Sequence, residues 1–290
     1  MKSVDRNPAS EWDQVASRAH PSWYLDPLVA KQKQDVHVNL FQGWMPASAS
    51  RALKTDVFEE AFGADALLER LAPLCQTWIG MDVAAETVRQ ARARSELHGA
   101  QFLACDVRHV PLRSGSLDAI VSNSTLDHFA EQRDFETAIA ELARLLGPGG
   151  RLLITVDNPR NPLLWPLRWL SRLRRSPFAL GYTPSATVLR QTLQRAGLQV
   201  LDTCRLIHNP RGVSTLLFLA LRRLAGPRAD PLIQWLLDAF AELERLPTRG
   251  FTACFLAACA VRPPLAAPPP QPAFPNRPAA PSAADRSNGR

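Results

Sequence analysis

The chain has 290 residues, which is enough for one large domain with additions or for two small domains. Hydrophobic residues make up 46% of the sequence and charged residues 21%, and this composition excludes a wholly disordered protein. The formal net charge is +7, so nucleic acid, an anionic membrane surface and an acidic small molecule are the partner classes to consider.

The five cysteines and the N-terminus indicate the compartment. No two cysteines have the spacing of a zinc site or a redox motif, and the set is typical of a reducing cytoplasm. The first residues carry charges and lack the apolar core of a signal peptide, and no apolar run is long enough to cross a bilayer. We therefore expect a cytoplasmic protein without a metal site.

From residue 51 onward the sequence alternates between strand-like and helix-like segments. Apolar strand patterns occur at 51–58, 77–82, 101–106, 117–123, 151–158, 198–207 and 251–261. Helical patterns occur at 59–71, 83–97 and 134–146, with Asp134 as the expected N-cap of the third, and a further helix begins at Thr183-Pro184. This alternation predicts an α/β fold, with a doubly wound, mostly parallel sheet and helices on both faces.

Changes of composition divide the chain into segments. We expect an N-terminal helical cap over 1–47, a main domain over 48–262 and a disordered Pro/Ala-rich tail over 263–290. Within the main domain, 158–182 is a basic amphipathic segment that follows the fifth strand. The stretch 212–249 is predicted to be a helical insertion before the last strand.

Three polar residues stand at the ends of predicted strands. Asp82, Asp106 and Asn123 each close one strand, and ligands of open α/β sheets bind at the carboxyl ends of the strands. Asp82 is placed to accept hydrogen bonds from two ribose hydroxyls, and Asp106 to accept one from an adenine amino group. The alternatives are an N-cap of the following helix for Asp82 and a turn-forming role for Asp106.

The turn after the first strand lacks the glycine-rich bend of nucleotide-binding folds. It carries Asp56, Glu59 and Glu60 instead, and Asp56 with Glu59 also fits a helix capping box. Negative charge here disfavours the pyrophosphate of NAD or FAD, but it suits an adenosine ligand whose tail carries an ammonium and a sulfonium. Lys54, two residues before Asp56, is expected to meet a carboxylate or Asp56 itself.

Three longer segments occur in a fixed order along the body of the chain. They are WIGMDVAAETVRQAR, FLACDVRHVPLRSGSLDAIVSNSTLDHF and ELARLLGPGGRLLITVDN. Together they resemble the small-molecule branch of the class I S-adenosylmethionine-dependent methyltransferases, over residues 44–263. The resemblance implies a Rossmann-like sheet of seven strands whose last strand is antiparallel, and it implies S-adenosylmethionine as the cofactor.

The resemblance also implies roles for individual residues. The implied cofactor contacts lie at the ends of the second, third and fourth strands and are Gly80, Asp82, Asp106, Val107 and Asn123. Asp82 would hold the ribose, Asp106 would lie near the adenine amino group, and Asn123 would lie beside the methionine portion. The chain departs from the family in lacking its G-x-G-x-G loop, and we expect Asp56 to take over the contact to the cofactor's ammonium.

A hydroxyl acceptor must lose a proton when it is methylated, which requires a base near the acceptor. The candidate base is His128, just after the fourth strand, with Asp127 adjacent. The alternative is a histidine at a helix start that contacts solvent or backbone. Ser122, Ser124 and Thr125 either orient the substrate or cap the next helix.

The excess of positive charge lies mainly after the fifth strand. Between Asp157 and Asp202 the chain has seven arginines and no acidic residue, so the rest of the chain is balanced. This concentration argues against a surface that follows a nucleic-acid backbone. For 162–178 it favours a lid over an apolar or anionic acceptor, or a peripheral contact with lipid, and the alternative is a solvated arginine face.

The sequence therefore predicts an enzyme. The leading hypothesis is a methyltransferase that moves a methyl group from S-adenosylmethionine to a small, hydrophobic or anionic metabolite. The alternative is a non-catalytic binding protein of the same fold, in which the degenerate first loop has lost turnover and binding of the cofactor or another nucleotide survives.

Overall fold

A seven-stranded sheet forms the centre of the computed structural model, which describes residues 12–13, 26–97, 99–172 and 180–264. The strands are β1 (Ala49–Thr55), β2 (Cys75–Asp82), β3 (Gln101–Ala104), β4 (Leu117–Asn123), β5 (Leu146–Asp157), β6 (Gln199–Leu206) and β7 (Phe255–Val261). Their order across the sheet is β3-β2-β1-β4-β5-β7-β6. Among the described strands only β7 runs antiparallel to its neighbours, so the predicted sheet is confirmed.

Helices cover both faces of this sheet. The described α-helices are α1 (Pro27–Trp44), α2 (Phe58–Phe62), α3 (Leu68–Leu71), α4 (Ala85–Arg94), α5 (Gln132–Leu145), α6 (Leu164–Arg172), α7 (Ala186–Arg195), α8 (Val213–Ala225), α9 (Asp230–Ala241) and α10 (Arg249–Thr252). On one face, α5 and α7 bury Phe135, Ile139 and Leu189 against the strands. On the other face, α1 and α3 bury Phe41 and Leu71. Apolar burial on both sides accounts for the nearly continuous apolar runs of the central strands.

The predicted helix over 59–71 is in fact two short helices, α2 and α3. Glu60, near the end of α2, turns its carboxylate toward the start of α3. Its Oε1 accepts hydrogen bonds from the backbone N–H groups of Leu67 and Leu68, at 3.0 and 3.1 Å. These N–H groups begin a new helix and would otherwise lack acceptors. The prediction of one continuous helix was wrong because a side chain of the first helix caps the second.

Two other predicted boundaries also differ from the structure. Helix α5 begins at Gln132, and Asp134 lies in its first turn, where it forms an ion pair with Arg108 instead of capping the helix. The apolar run 251–261 starts with the end of α10, and only its second part is β7. Asn158 and Asn161 donate side-chain hydrogen bonds to carbonyl groups at the end of α10, which holds this bend in place.

The basic segment, the insertion, the N-terminal cap and the tail are described to different extents. The basic segment forms α6, and the insertion forms α8 and α9, which pack on each other through Phe218, Ile233 and Leu237. Residues 1–11, 14–25 and 173–179 lie outside the described residues, and so does the expected tail from residue 265 onward. Of the expected N-terminal cap and the expected lid, the structure describes α1, α6 and residues 12–13.

The topology positions a ligand site between β1 and β4. These strands are adjacent in the sheet, and from them the chain winds outward in opposite directions. The loops that follow their carboxyl ends therefore diverge and leave a crevice. The residues after β1, β2, β3 and β4 all approach this crevice.

Candidate functional site

A cavity of about 270 Å³ lies in this crevice and contains several of the predicted site residues. Of the eight predicted cofactor and catalytic residues, five line it, namely Asp56, Asp82, Asp106, Val107 and His128, and Thr125, a candidate for orienting the substrate, lines it as well. Apolar side chains, among them Phe58, Met81 and Phe129, form much of the remaining wall. The cavity thus combines carboxylates with apolar and aromatic surface, as small-molecule sites commonly do.

Asp82 is the last residue of β2 and lies on the cavity wall with little exposure to solvent. Its Oδ1 accepts from the backbone N–H of Ala84 at 2.9 Å, and its Oδ2 accepts from that of Val57 at 3.2 Å. A carboxylate has about four acceptor positions, so two are left for a ligand. Burial raises the pKa of Asp82 to about 6, although these two hydrogen bonds oppose the shift. The N-cap alternative is wrong, because the N-cap residue of α4 is Ala84 and Asp82 instead binds the backbone of the loop before the helix, and its ligand role stays a prediction.

Asp56 replaces glycine in the first turn and adopts a backbone conformation that glycine favours. Its φ angle is +66°, and its Oδ1 accepts from the backbone N–H of Phe58 at 2.8 Å, which closes a tight turn. Burial raises the pKa of Asp56 well above its ordinary value, and the carboxylates of Glu59 and Asp82 raise it further. Asp56 and Asp82 both line the cavity, so a bound cation would favour the ionised form of each carboxylate.

Lys54 meets a carboxylate, as expected, but that carboxylate belongs to Glu60. Its Nζ donates to Glu60 Oε2 at 2.8 Å and to the backbone carbonyl of Asp56 at 2.5 Å. Burial opposes its protonation, but the nearby carboxylates, Glu60 first, prevail and raise the pKa of Lys54 to about 12. Lys54 is therefore a charged buried group that fixes the turn, and the charge of Asp56 is left for a ligand.

Asp106 follows β3 and is paired with Arg108, a cavity residue that the sequence reasoning missed. The guanidinium donates from Nε and Nη2 to the Asp106 carboxylate, the shortest contact being 2.6 Å, and from Nη1 to Asp134 at 2.7 Å. It also lies over the ring of Phe129, 5.4 Å from the centroid. Burial would raise the pKa of Asp106, but the bonds from Arg108 outweigh it and lower the pKa. The D-x-R spacing is the sequence signal for this pair.

His128 also lines the cavity and lies beside an aromatic residue from the N-terminal segment. The ring of Trp12 meets the His128 ring edge-on at a centroid distance of 5.2 Å. Asp13, the next residue, accepts a hydrogen bond from the backbone N–H of Glu86 in the first turn of α4. Trp12 lines the cavity. No sequence motif identified it, because the ring that it contacts, His128, lies more than 100 residues away in the chain.

A tight backbone contact holds the wall behind His128. The N–H of Gly181 donates to the carbonyl of Asp127 at 2.9 Å, and that of Tyr182 donates to the carbonyl of Phe129. A Cβ atom on Gly181 would lie 2.2 Å from the Phe129 carbonyl oxygen, so only glycine fits. Arg168 of α6 donates to the carbonyl of Gly181 and thereby ties α6 to this wall.

Three of the predicted site residues do not line the cavity. Asn123 uses its Oδ1 to accept from Thr155 at 2.7 Å within the sheet. Asp127 turns away from His128, and its Oδ2 accepts from the backbone N–H of Asp157 at 2.8 Å. Burial, with Asp157 close by, raises the pKa of Asp127 to about 6.

Gly80 is the third predicted site residue that does not line the cavity, and close packing explains why this position is a glycine. A Cβ atom there would lie 2.8 Å from a methyl group of Val57 and 3.1 Å from the ring of Phe102. The absence of a side chain lets the first turn lie directly against β2. Gly80 therefore positions Val57, whose N–H binds Asp82.

The acceptor groups and the apolar side chains that line the cavity fit the chemistry of S-adenosylmethionine. The free acceptor positions of Asp82 suit ribose hydroxyls, and the excess negative charge of Asp56 and its neighbours suits an ammonium. Met81, Val107 and Phe129 supply apolar surface for a planar ring. A pyrophosphate would instead meet the carboxylates at close range.

Comparisons with known proteins place the chain among methyltransferases. Residues 59–154 match the family model described as a methyltransferase domain. A probable S-adenosylmethionine-dependent methyltransferase of Mycolicibacterium smegmatis is 28% identical over 167 residues, which cover 55% of this chain and 58% of that protein. The tRNA (carboxymethyluridine(34)-5-O)-methyltransferase of Mus musculus is 45% identical over 78 residues, which cover 27% of this chain but only 11% of that protein. The chain thus spans little more than half of one relative and a small part of the other.

Solved structures agree on the fold. The N-methyltransferase NodS from Bradyrhizobium japonicum, in complex with S-adenosyl-L-homocysteine, superposes with a TM-score of 0.52 at 17% sequence identity. The superposition covers 89% of this chain and 100% of NodS. The similarity in fold therefore extends over nearly the whole chain, and the methyltransferase domain match lies within it.

Proposed function

We propose that this chain, which carries a class I S-adenosylmethionine-dependent methyltransferase domain, methylates a small, hydrophobic or anionic acceptor. One observation carries the proposal: the carboxylates of Asp56 and Asp82 and the ring of His128 line the same cavity. Bound S-adenosylmethionine would supply an electrophilic methyl group on its sulfonium. The protein then has to align the acceptor with that group and exclude water.

Four residues would hold the cofactor. Asp82 would accept from the ribose hydroxyls, and Asp56 would accept from the ammonium. Asp106, fixed by Arg108, would accept from the adenine amino group, while Val107 packs on the ring. Asn123 has no direct contact in this proposal, because its side chain is bound to Thr155.

His128 would accept the proton of a hydroxyl acceptor. Its ring lines the cavity beside Trp12, so a proton acceptor and an apolar surface meet at the place where the acceptor would enter. Asp127 acts here as a positioning residue: its backbone carbonyl binds Gly181, and its carboxylate binds the backbone of Asp157.

The size and lining of the cavity support a small acceptor. A volume of about 270 Å³ is at the low end for ligand sites, so little space is left beside a nucleoside. Trp12 and Phe129 favour an apolar or planar group there. Arg168 connects the basic segment to this wall through Gly181, which supports an anionic acceptor as the alternative. The mouse relative is named for a tRNA substrate, so tRNA belongs in the panel of acceptors.

Calorimetry with S-adenosylmethionine tests the cofactor site directly. Asp82→Asn removes the negative charge and one acceptor but keeps the size of the side chain. We expect it to weaken binding at pH 8 by at least about tenfold, because hydrogen bonds to charged groups contribute about 1.5–3 kcal/mol each. Asp118→Asn is the matched control, because Asp118 binds backbone N–H groups of Ser50 and Arg51 at the amino end of the sheet.

Release of S-adenosylhomocysteine then separates catalysis from binding. The assay uses fractionated small metabolites and, separately, tRNA. Turnover with a small molecule that falls in His128→Gln supports the proposal, and turnover with tRNA alone would replace the proposed acceptor. Cofactor binding without any turnover would favour the non-catalytic alternative. The absence of binding at millimolar S-adenosylmethionine would exclude the proposed methyl transfer.

A further inference from the structure

Helix α8 carries an apolar stripe on the face that it turns to solvent. The stripe consists of exposed residues at helical spacing, namely Val213, Leu216, Leu217, Ala220 and Leu224. Leu216 and Leu224 are 71% and 86% exposed, far more than ordinary packing leaves. The opposite face of α8 packs through Phe218 on α9, so the stripe does not serve the insertion's own core. An aliphatic face of this kind is typical of a contact surface.

Helix α6, which approaches the start of α8, also exposes two tryptophans. Trp165 and Trp169 lie one turn apart and are 77% and 65% exposed. The two helices are neighbours, because a Cβ atom on Gly212, just before α8, would lie 3.1 Å from Leu167 of α6. We call the stripe and the two tryptophans together the apolar surface.

Positive charge is concentrated in the part of the chain that carries this surface. Residues 158–229 contain twelve arginines and one acidic residue, Asp202, a net charge of +11 that leaves −4 for the rest. Some of these arginines are paired, for example Arg222 with Asp26 and Asp230. Arg223 and Arg228 are exposed at the C-terminal end of α8 and form no salt bridge with any described residue.

We propose that the apolar surface binds the headgroup region of an anionic lipid bilayer. Tryptophan rings and leucine side chains would enter the interface between headgroups and acyl chains, while Arg223 and Arg228 meet lipid phosphates. Of the helices in the described ranges, none is long and apolar enough to span a bilayer, so the contact lies on the membrane. It goes beyond the proposed methyl transfer and does not depend on it.

Two other occupants fit the surface less well. Proteins bind RNA with aromatic rings that stack on the bases and with polar and basic side chains. The five aliphatic residues of the stripe provide neither kind of contact. A second copy of this chain in a symmetric dimer would bring Arg223 and Arg228 of both copies to one interface without an acidic partner from the stripe, which their mutual repulsion opposes. A bilayer supplies both the apolar depth and the negative charge.

Vesicle sedimentation tests the proposal on the full chain. Vesicles of equal parts phosphatidylglycerol and phosphatidylcholine are compared with vesicles of phosphatidylcholine alone. We expect binding to the anionic vesicles that weakens with salt, and a loss of at least about tenfold in Leu216→Ser/Leu224→Ser, because each buried leucine contributes about 1.5–3 kcal/mol. Leu232→Ser/Trp235→Ser on α9 is the matched control and should change binding less than about twofold.

Tryptophan fluorescence gives a second measurement. Anionic vesicles should shift the emission to shorter wavelength, and most of this shift should be lost in Trp165→Phe/Trp169→Phe. Circular dichroism and S-adenosylmethionine affinity should stay unchanged in every variant, which separates this proposal from the proposed methyl transfer. Absent vesicle binding, or binding equal in wild type and the α8 variant, would overturn it. So would a dimer that the α8 variant dissociates, or tRNA binding that Arg223→Gln/Arg228→Gln abolishes while vesicles do not bind.

Discussion

Asp82 has to satisfy two opposed requirements. Folding places its carboxylate in a poorly solvated position, and burial raises its pKa to about 6, above its value in an unfolded chain. The contribution of this group to the stability of the folded protein is therefore greatest below about pH 4 and is lost as the pH rises through about 6. In the proposed function the ionised form is needed, because only a carboxylate can accept from both ribose hydroxyls while it also accepts from Val57 and Ala84.

The affinity for S-adenosylmethionine should therefore depend on pH. Below pH 6 the carboxyl group of Asp82 gains a proton and loses both charge and acceptor capacity, so affinity should fall as the pH falls. We expect a decrease of about tenfold between pH 7 and pH 5, a range below the pKa of an α-amino group. Calorimetry across this range measures it.

Two variants show whether Asp82 is responsible. In Asp82→Asn the affinity should be lower at pH 7 and should depend less on pH, because one titrating group is gone while Asp56, whose pKa is also raised, remains. Asp127 has a pKa of about 6 as well but lies outside the cavity, so Asp127→Asn should keep the pH dependence. An unchanged pH profile in Asp82→Asn would assign the effect to another group.

At the scale of single residues, the sequence could predict position better than side-chain direction. Asp56, Asp82, Asp106 and His128 line the cavity because each lies at or shortly after the end of a strand, which is a local property. The side chain of Asn123 turns to Thr155 and that of Asp127 to the backbone of Asp157, more than 29 residues away in the chain. Such partners are chosen by the packing of β4 against β5, which no local pattern encodes.

At the scale of elements, the buried ion pair between Lys54 and Glu60 fixes the first turn, where the chain lacks the glycine-rich loop. Lys54 at the end of β1 binds both Glu60 of α2 and the backbone of the first turn, and Glu60 in turn caps α3. Three elements thus meet at one charged pair with less than a tenth of either side chain exposed. The strands and most helices were predictable from apolar periodicity. The break between α2 and α3 was not, because it depends on this contact with β1.

Lys54→Met should destabilise the protein strongly. It removes the partner of a buried carboxylate, and such losses cost about 3–5 kcal/mol, because the remaining charge is left uncompensated. Chemical denaturation monitored by circular dichroism measures the free energy of unfolding. Lys31→Met is the control: Lys31 pairs with Asp35 at 2.6 Å but is 68% exposed, so it should cost less than about 1 kcal/mol. Equal costs for the two variants would mean that the buried pair does not fix the turn.

At the scale of the whole molecule, opposite charges occupy different regions. Carboxylates gather at the cavity around Asp56 and Asp82, while arginines gather in 158–229. A ligand is therefore selected at the cavity by its own charge, and positive charge elsewhere can serve a separate surface. Composition alone indicated an anionic partner, but it could not show that the cavity favours the opposite sign. That distinction depends on which loops the sheet order brings together.

Thermal unfolding should reveal this selection in the intact protein. At 100 times its dissociation constant, S-adenosylmethionine should stabilise the folded state by about 2.7 kcal/mol, which corresponds to a rise in Tm of about 5–10 °C for a protein of this size. NAD carries the same adenosine but a pyrophosphate in place of the cationic tail. The carboxylates of Asp56, Glu59 and Asp82 should repel it, so its effect on Tm should stay below about 1 °C. An equal shift with both ligands would mean that the cavity recognises adenosine alone, and the role of Asp56 as the ammonium contact would be wrong.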